Sequence, residues 1–211
     1  RCLSDWSSDV CSSDLARKRE QADAGETNWR GTVLITLVVI LRSIIHLGMT
    51  TYLPFFWIDV LGNSPDTAGL VQMTYLLAGV LGTLLGAPLA DRFGTKPVLI
   101  ASFALLLPVQ AVLSSLRGWP LLVGLFAAGF LVVSTFTTTL VMTQEYMPRS
   151  LGLASGLNLG LAFGMGGVGT SVLGIVADHF GVLVVMRCIA SLALLALLLT
   201  LVLPPVRMNR A

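Results

Sequence analysis

Ala90–Gly94 reads ADRFG and Ala177–Gly181 reads ADHFG, and each of these two stretches closes a long apolar segment. The second copy begins 87 residues after the first, which leaves room for three crossings of a bilayer at roughly 20 residues each. Because an odd number of crossings reverses the direction of the chain, we expect the two copies at opposite faces of the membrane. This predicts an inverted-topology repeat of two three-helix units, an arrangement typical of secondary transporters.

The composition indicates that lipid surrounds most of the chain. Of the 211 residues, 55% are hydrophobic and 11% are charged, with a mean hydropathy of +0.86, whereas soluble domains carry about 25% charged residues. Backbone groups inside a membrane must satisfy one another, so we predict an all-α integral membrane protein. The predicted spans are 31–57, 66–90, 96–116, 119–143, 150–176 and 182–203.

The basic residues predict how the chain crosses the membrane. With six crossings, both ends lie on one side, and that side holds nine Lys and Arg residues against Arg117 alone on the other. Basic residues concentrate in cytoplasmic loops, so we expect a multi-pass protein of the plasma or inner membrane with both ends in the cytoplasm. The nine are Arg17, Lys18, Arg19, Arg30, Arg92, Lys96, Arg149, Arg207 and Arg210.

The two ends of the chain differ from its apolar middle. Residues 1–15 are rich in Ser and Asp, and Asp5–Leu15 resembles the translation of a common sequencing-library adapter over eleven consecutive residues. We therefore expect segment 1–15 to be non-native; a natural polar tail is the alternative. Residues 16–29 are predicted to be a cytoplasmic linker, 30–205 a six-helix transmembrane half-domain, and 206–211 a cytoplasmic tail.

The stretch Gly86–Pro97 resembles the cytoplasmic-loop signature of the major facilitator superfamily, Gly-x-Leu-Ala-Asp-Arg-x-Gly-Arg-Lys. It departs from the signature at Ala87, where Gly is usual, and at Thr95, which replaces a basic residue. The stretch Gln144–Gly156 is similar to the family's loop between helices ten and eleven, and with the following Gly-rich segment it is similar to fosmidomycin-resistance-type efflux proteins. The matching signature positions are Leu89, Ala90, Asp91, Arg92, Gly94 and Lys96.

This resemblance covers about residues 30–205 and implies half of a twelve-helix fold, helices seven to twelve. It also implies a cytoplasmic gating loop built from Asp91, Arg92, Gly94 and Lys96, which would bridge to an N-terminal six-helix half as a missing partner. A plain turn at the cytoplasmic surface is the alternative for this loop.

Arg42 and His46 lie one helical turn apart on the same face of the first span. An ionisable group near the middle of a membrane is costly and should face a cavity or a partner. We expect Arg42 to line the substrate path and attract an anionic or polar group; an ion pair with the missing half is the alternative. His46 is a candidate proton relay, and a packed core histidine is the alternative.

Three further polar residues are candidates for the wall of the path: Gln72, Tyr75 and Asn158. Their side chains can hydrogen-bond a ligand or, equally, a neighbouring helix. The hydroxyl-rich run 134–139 is expected to bond mostly to carbonyls of its own helix.

Glycines recur every four residues on the fifth span, at Gly152, Gly156, Gly160 and Gly164, with Gly167 close behind. Small residues at this spacing allow helices to approach closely, and a glycine cluster can also bend a helix. The pattern predicts a packing face or a hinge.

The sequence lacks a Walker loop, a His-Glu-x-x-His motif and a Gly-x-Ser-x-Gly motif, so we expect no enzyme, cofactor, metal site or nucleic-acid partner. It predicts the C-terminal half of a secondary transporter: a proton-coupled antiporter that exports a small molecule or drug by alternating access. A homodimerising half-transporter and a membrane-embedded enzyme or receptor are the alternatives.

Overall fold

Six long helices make up the structure, a computed structural model that describes residues 29–204 apart from 114, 115 and 117. All six are long and apolar enough to cross a membrane, which confirms the predicted spans. A π-helical turn, Phe56–Val60, extends the first helix, and a 3₁₀ turn, Pro148–Ser150, precedes the fifth. The helices are α1 (Trp29–Phe55), α2 (Pro65–Phe93), α3 (Thr95–Leu113), α4 (Trp119–Tyr146), α5 (Leu151–Phe180) and α6 (Val182–Val202).

Several sequence predictions fall outside the described residues. These are the adapter-like segment 1–15, the linker up to residue 28, the tail 206–211 and Arg117, together with the side chain of Arg149.

The contacts between helices follow the inverted repeat. When α1, α2 and α3 are exchanged for α4, α5 and α6, the pairs α1–α4 and α3–α6 map onto themselves, and every other pair of helices in contact maps onto another pair in contact. The extensive α2–α4 interface corresponds to α5–α1, and α3–α4 corresponds to α6–α1. Among the described residues, α2 does not contact α6, and its counterpart pair, α5 and α3, is also apart. The bundle therefore consists of two interlocked triplets, as expected for half of the twelve-helix fold.

The repeated ADRFG and ADHFG stretches end α2 and α5 in the same way. Gly94 has φ 92° and ψ 149°, and Gly181 has φ 84° and ψ 162°, a backbone region open essentially to glycine alone. The N–H of each glycine donates to the carbonyl four residues earlier, that of Ala90 or Ala177, at 2.8 Å in both cases. The sequence repeat thus encodes a shared helix stop.

The predicted loop around Asp91 is shorter than the sequence suggested. Asp91 and Arg92 lie in the last turn of α2, while Lys96 lies in the first turn of α3, so Gly94 alone separates the two helices. The predicted spans left residues 91–95 between the two helices; the connection is shorter because the conformation of Gly94 lets one residue separate them.

At one end of the bundle, which we call the Tyr146 end, side chains tie together the starts of α1 and α3 and the end of α6. The Tyr146 hydroxyl donates to the carbonyl of Pro204 at 2.6 Å, and its ring lies against Gly31, where a Cβ atom would come within 2.5 Å of it. The ammonium of Lys96 donates to the carbonyl of Leu203, a cation at the negative end of the α6 dipole.

At the opposite end, which we call the Tyr52 end, the equivalent ties join α1 to its neighbours. The Tyr52 hydroxyl donates to the carbonyl of Thr170 on α5 at 2.9 Å. The indole N–H of Trp57, in the π-helical turn, donates to the hydroxyl of Thr67 at 2.8 Å and fixes the start of α2.

Glycines bring α2 and α4 into backbone contact. A Cβ atom added at Gly129 would lie 2.3 Å from the carbonyl oxygen of Tyr75, and one at Gly82 would lie 2.5 Å from that of Phe130. Only residues without side chains permit this approach. The interface therefore fixes the height of Tyr75 relative to α4.

The predicted glycine face of α5 does not pack against any described residue. At Gly152, Gly156, Gly160, Gly164 and Gly167, an added Cβ atom would meet no described atom within 4 Å. Instead, Gly166 and Gly169 make the close contacts with α1, against Leu47 and Ile44. A packing or hinge role for the first five glycines stays a prediction, and any packing partner lies outside the described residues.

We predict that Gly129→Ala destabilises the bundle by about 1–3 kcal/mol, because the new methyl group overpacks a backbone contact that cannot retreat without moving Tyr75. Gly69→Ala is the matched control on α2, since an added Cβ atom there meets no described atom within 4 Å. Thermal unfolding of both variants in the same detergent measures the difference. Equal melting temperatures would contradict the close approach of α2 and α4.

Candidate functional site

A cleft of about 140 Å³ opens between α1, α4 and α5. Four of its lining residues come from consecutive turns of α1, two from α4 and two from α5. At the helical rise of about 1.5 Å per residue, Arg42 lies roughly 20 Å along α1 from Trp29, which places the cleft deep within the span. The lining residues are Arg42, Ser43, His46, Leu47, Val133, Phe136, Ala162 and Phe163.

Arg42 is the charged residue of this cleft, and its guanidinium group is only partly satisfied. The side chain is 4% exposed, its Nη2 donates to the Ser43 hydroxyl at 3.0 Å, and that hydroxyl donates to the carbonyl of Val39 at 2.8 Å. The ring of Phe136 covers the guanidinium carbon at 5.0 Å, a favourable cation–π geometry. The buried Nε has no hydrogen-bond partner among the described residues.

No carboxylate of the described residues lines the cleft. Those carboxylates lie near helix ends, far along the chain from Arg42: Asp59, Asp66, Asp91, Glu145 and Asp178. In the described part of the chain, no three His, Cys, Asp or Glu side chains are grouped closely enough to hold a metal ion. The cleft therefore presents one positive group framed by aromatic and aliphatic side chains.

His46 lies one turn beyond Arg42 and contacts α2 through Tyr75. Its Nδ1 is 3.2 Å from the Tyr75 hydroxyl oxygen, and the two rings stack with centroids 5.9 Å apart. Tyr75 is fully buried and is held at this height by the backbone contact with Gly129. The structure thus brings Arg42, His46 and Tyr75 close together; Arg42 and His46 line the cleft, whereas Tyr75 lies behind His46. Their role in a substrate path stays a prediction.

Gln72 and Asn158 do not line the cleft. Asn158 is buried on α5 and donates from Nδ2 to the hydroxyl of Thr143 at 3.2 Å. Its Oδ1 and the Oε1 of Gln72 are both buried without a hydrogen-bond partner among the described residues. Asn158 lies one turn from Ala162, on the side of the cleft nearer the Tyr146 end.

The hydroxyl groups of α4 mostly bond to their own helix. Ser134, Thr135, Thr138, Thr139 and Thr143 each donate to a carbonyl three or four residues earlier, at 2.6–3.2 Å. This confirms the expectation for the run 134–139 and leaves Phe136, at the centre of the run, as its member that faces Arg42.

The residues predicted to form a gate lie at the Tyr146 end, away from the cleft. Asp91 and Arg92 are exposed, and the guanidinium of Arg92 lies 5.6 Å from the ring of Phe93. The ammonium of Lys96 donates hydrogen bonds to the carbonyls of Leu201 and Leu203, at the end of α6. Beside it, Thr95 donates to the carboxylate of Glu145 at 3.3 Å, which joins the start of α3 to the end of α4.

Ser43 and Phe136 are the two cleft residues in contact with the Arg42 guanidinium that sequence reasoning missed. Ser43 was next to Arg42, but nothing in the sequence indicates that a serine holds its neighbour's guanidinium. Phe136 interrupts a run of five hydroxyl residues between 134 and 139, and that interruption was the available signal.

Comparisons with known proteins agree with this architecture. Residues 28–210 match the family described as Major Facilitator Superfamily. The chain is 36% identical over 179 residues to the Fosmidomycin resistance protein of Escherichia coli K12, an alignment that covers 82% of this chain and 42% of the relative. It is 39% identical over 145 residues to the uncharacterized MFS-type transporter YfnC of Bacillus subtilis, covering 68% of this chain and 35% of the relative.

A third relative is the probable nitrate/nitrite transporter NarK2 of Mycobacterium tuberculosis, 34% identical over 123 residues, covering 56% of this chain and 29% of that protein. The chain thus spans less than half of the length of the curated relatives that it matches.

We predict that Tyr75→Phe changes the environment of the His46 ring, because the substitution keeps the stacked ring but removes the hydroxyl from Nδ1. The chain has only two histidines, His46 and the exposed His179, so ¹⁵N-histidine labelling gives two assignable sets of signals. The His46 Nδ1 resonance should shift, and stability should fall by about 1 kcal/mol.

Tyr52→Phe is the control for this measurement. It removes a hydroxyl bond of similar length at the Tyr52 end and should leave the His46 signals unchanged. A His46 resonance that is insensitive to Tyr75→Phe would contradict the contact.

Proposed function

This chain belongs to the Major Facilitator Superfamily, and from that membership we propose that it is the C-terminal six-helix half of a secondary transporter that exports a small-molecule drug in exchange for protons. The observation that carries the proposal is the Arg42 cleft: a buried cation with an unpartnered donor, placed deep in a bundle of two inverted triplets. Sites of this kind, near the midplane and at a repeat interface, are where secondary transporters bind their substrates.

Efflux of a drug is supported by the name of one relative, the Fosmidomycin resistance protein of Escherichia coli. Fosmidomycin is therefore the first substrate to test. The chain spans 42% of that relative's length, which favours a twelve-helix protein in which this bundle rocks against an N-terminal six-helix half.

The exposed glycine face of α5 supports the same proposal. Gly152, Gly156, Gly160 and Gly164 lie on the side of α5 that no described helix covers. A facing helix of the N-terminal half could approach there as closely as α4 approaches α2. Asp91 and Arg92, exposed at the Tyr146 end, would contact the same partner and stabilise one of the two access states.

Proton coupling rests on His46 in this half. It is the titratable group beside Arg42 in the cleft, and its ring contacts a second ionisable side chain, Tyr75. Protonating His46 would place a second cation one turn from the first, so proton and substrate occupancy would influence each other electrostatically. A carboxylate of the N-terminal half would share or take over this role.

The proposed location is the plasma or inner membrane, with the Tyr146 end facing the cytoplasm, because the basic residues concentrate on that side. A homodimer of this bundle is a second candidate architecture, since the exposed glycine face of α5 would suit a symmetric partner. An enzyme or receptor is disfavoured, because the Ser43 hydroxyl donates to the carbonyl of Val39 and the His46 Nδ1 contacts the Tyr75 hydroxyl, so these two cleft residues do not form a nucleophile–base pair.

We predict that Arg42→Ala, in the full-length transporter reconstituted in liposomes, lowers gradient-driven fosmidomycin flux by at least about a hundredfold, because the substrate loses a buried charged contact. Arg187→Ala is the matched control: Arg187 is an exposed arginine of α6, and its removal should leave flux unchanged.

Membrane insertion, followed by fluorescence-detected size exclusion, must be equal for both variants. Flux that survives Arg42→Ala would exclude Arg42 from the path, and flux that persists after nigericin collapses the pH gradient would contradict proton coupling.

A further inference from the structure

We propose that the Arg42 cleft is an oxyanion subsite, which binds the single phosphonate, carboxylate or similar head group of an organic anion, and that Phe136 is its positioning residue. This rests on the proposed transport function and names the substrate class of the same site.

The charge of the cleft favours an anionic ligand. Arg42 is 4% exposed, and no carboxylate of the described residues lines the cleft beside it. A cation in such surroundings is costly unless an anion or hydrogen-bond acceptors accompany it. Ser43 supplies one acceptor and the Phe136 ring supplies weaker electrostatic stabilisation, so one negative group of a ligand would complete the site. A cationic ligand would be repelled.

The fixed orientation of the Arg42 guanidinium favours an oxyanion. One face of the guanidinium is covered by Phe136, and Nη2 is engaged by Ser43, which is itself fixed on the Val39 carbonyl. The group is therefore held in one plane before any ligand arrives, and Nε is left as a buried donor without a partner. The planar fork of arginine suits oxyanions with two acceptor oxygens better than a neutral polar group.

The volume of the cleft suits the head group of a ligand. Pockets for drug-sized ligands measure about 300–1,000 Å³, whereas this cleft measures about 140 Å³. It is large enough for a charged head group but not for the whole of a drug. Phe163, at 68% exposure, is the exposed member of the lining, and Leu47 and Val133 add further apolar surface, so the body of the ligand would lie on apolar side chains and extend out of the cleft past Phe163.

Phe136 acts through Arg42 and does not need to touch the head group. If its ring sets the plane of the guanidinium, Phe136→Leu should preserve bulk and apolar packing but weaken binding of anions. Phe136→Tyr should preserve both the packing and the affinity for anions. A residue that merely filled space would alter the affinity for charged and neutral ligands alike.

The test measures ligand binding to the full-length protein in lipid nanodiscs by isothermal titration calorimetry. The probes share one ring and differ in charge: phenylphosphonate, benzyl alcohol and benzylamine. We expect phenylphosphonate to bind at least about tenfold more tightly than the other two, and inorganic phosphate to compete with it. Equal binding of the three probes, or preference for benzylamine, would overturn the proposal.

Variants assign the effect to the residues. Arg42→Gln should abolish phenylphosphonate binding and Arg42→Lys should weaken it about tenfold, since a lysine cannot form the planar fork. Arg187→Gln, which removes an exposed arginine, should have no effect. Phe136→Leu should weaken phenylphosphonate about three- to tenfold without changing benzyl alcohol, and Phe136→Tyr should match the parent protein.

Two outcomes separate this inference from the transport proposal. Arg42-dependent phenylphosphonate binding without gradient-driven flux of any probe would support the subsite proposal and contradict the transport proposal. Flux of benzylamine that is unaffected by Arg42→Lys would keep transport and overturn the subsite. If Arg42→Gln does not fold, full phenylphosphonate affinity in both Arg42→Lys and Phe136→Leu overturns the proposal.

Discussion

The backbone contact between α2 and α4 is the constraint on which the rest of the bundle depends. Because Gly129 has no side chain, the carbonyl of Tyr75 occupies the place where a Cβ atom would stand. That contact fixes Tyr75, whose hydroxyl meets His46, and His46 shares a helix face with Arg42. In a membrane the hydrophobic effect does little to draw helices together, so close packing of this kind supplies much of the specificity of the fold.

Much of the fold could be predicted from the sequence, because lipid imposes strict rules on it. The length of each apolar run sets the helices, and the repeated ADxFG pattern marks a helix stop that the structure contains twice, at Gly94 and Gly181. Spacing alone could not reveal which glycines pack. The regular series from Gly152 to Gly164 is uncovered, whereas Gly166 and Gly169 contact α1, and only the arrangement of the helices in space decides this.

The candidate site was half predictable for a similar reason. An ionisable group inside an apolar span is costly in a membrane, so Arg42 and His46 could be identified as candidates from the sequence. The side chains that orient the guanidinium were not, because Phe136 comes from another helix and its role depends on a ring-to-cation distance of 5.0 Å. None of Gln72, Tyr75 and Asn158 lines the cleft; Tyr75 reaches the site only through its contact with His46, and such a contact depends on the arrangement of the helices, which polarity alone does not reveal.

The dependence of Arg42 on Phe136 has a consequence for biogenesis. Phe136 follows Arg42 by about ninety residues, and at a synthesis rate of about 5–20 residues per second the ribosome needs roughly 5–20 seconds to make that length. During this interval α1 must enter the bilayer with a central arginine, at a translocon penalty of about 2.5–3.5 kcal/mol, and Ser43 is the guanidinium's partner on α1 itself. The long apolar sequence of α1 provides the insertion energy that offsets this charge, so α1 remains inserted until α4 enters the membrane.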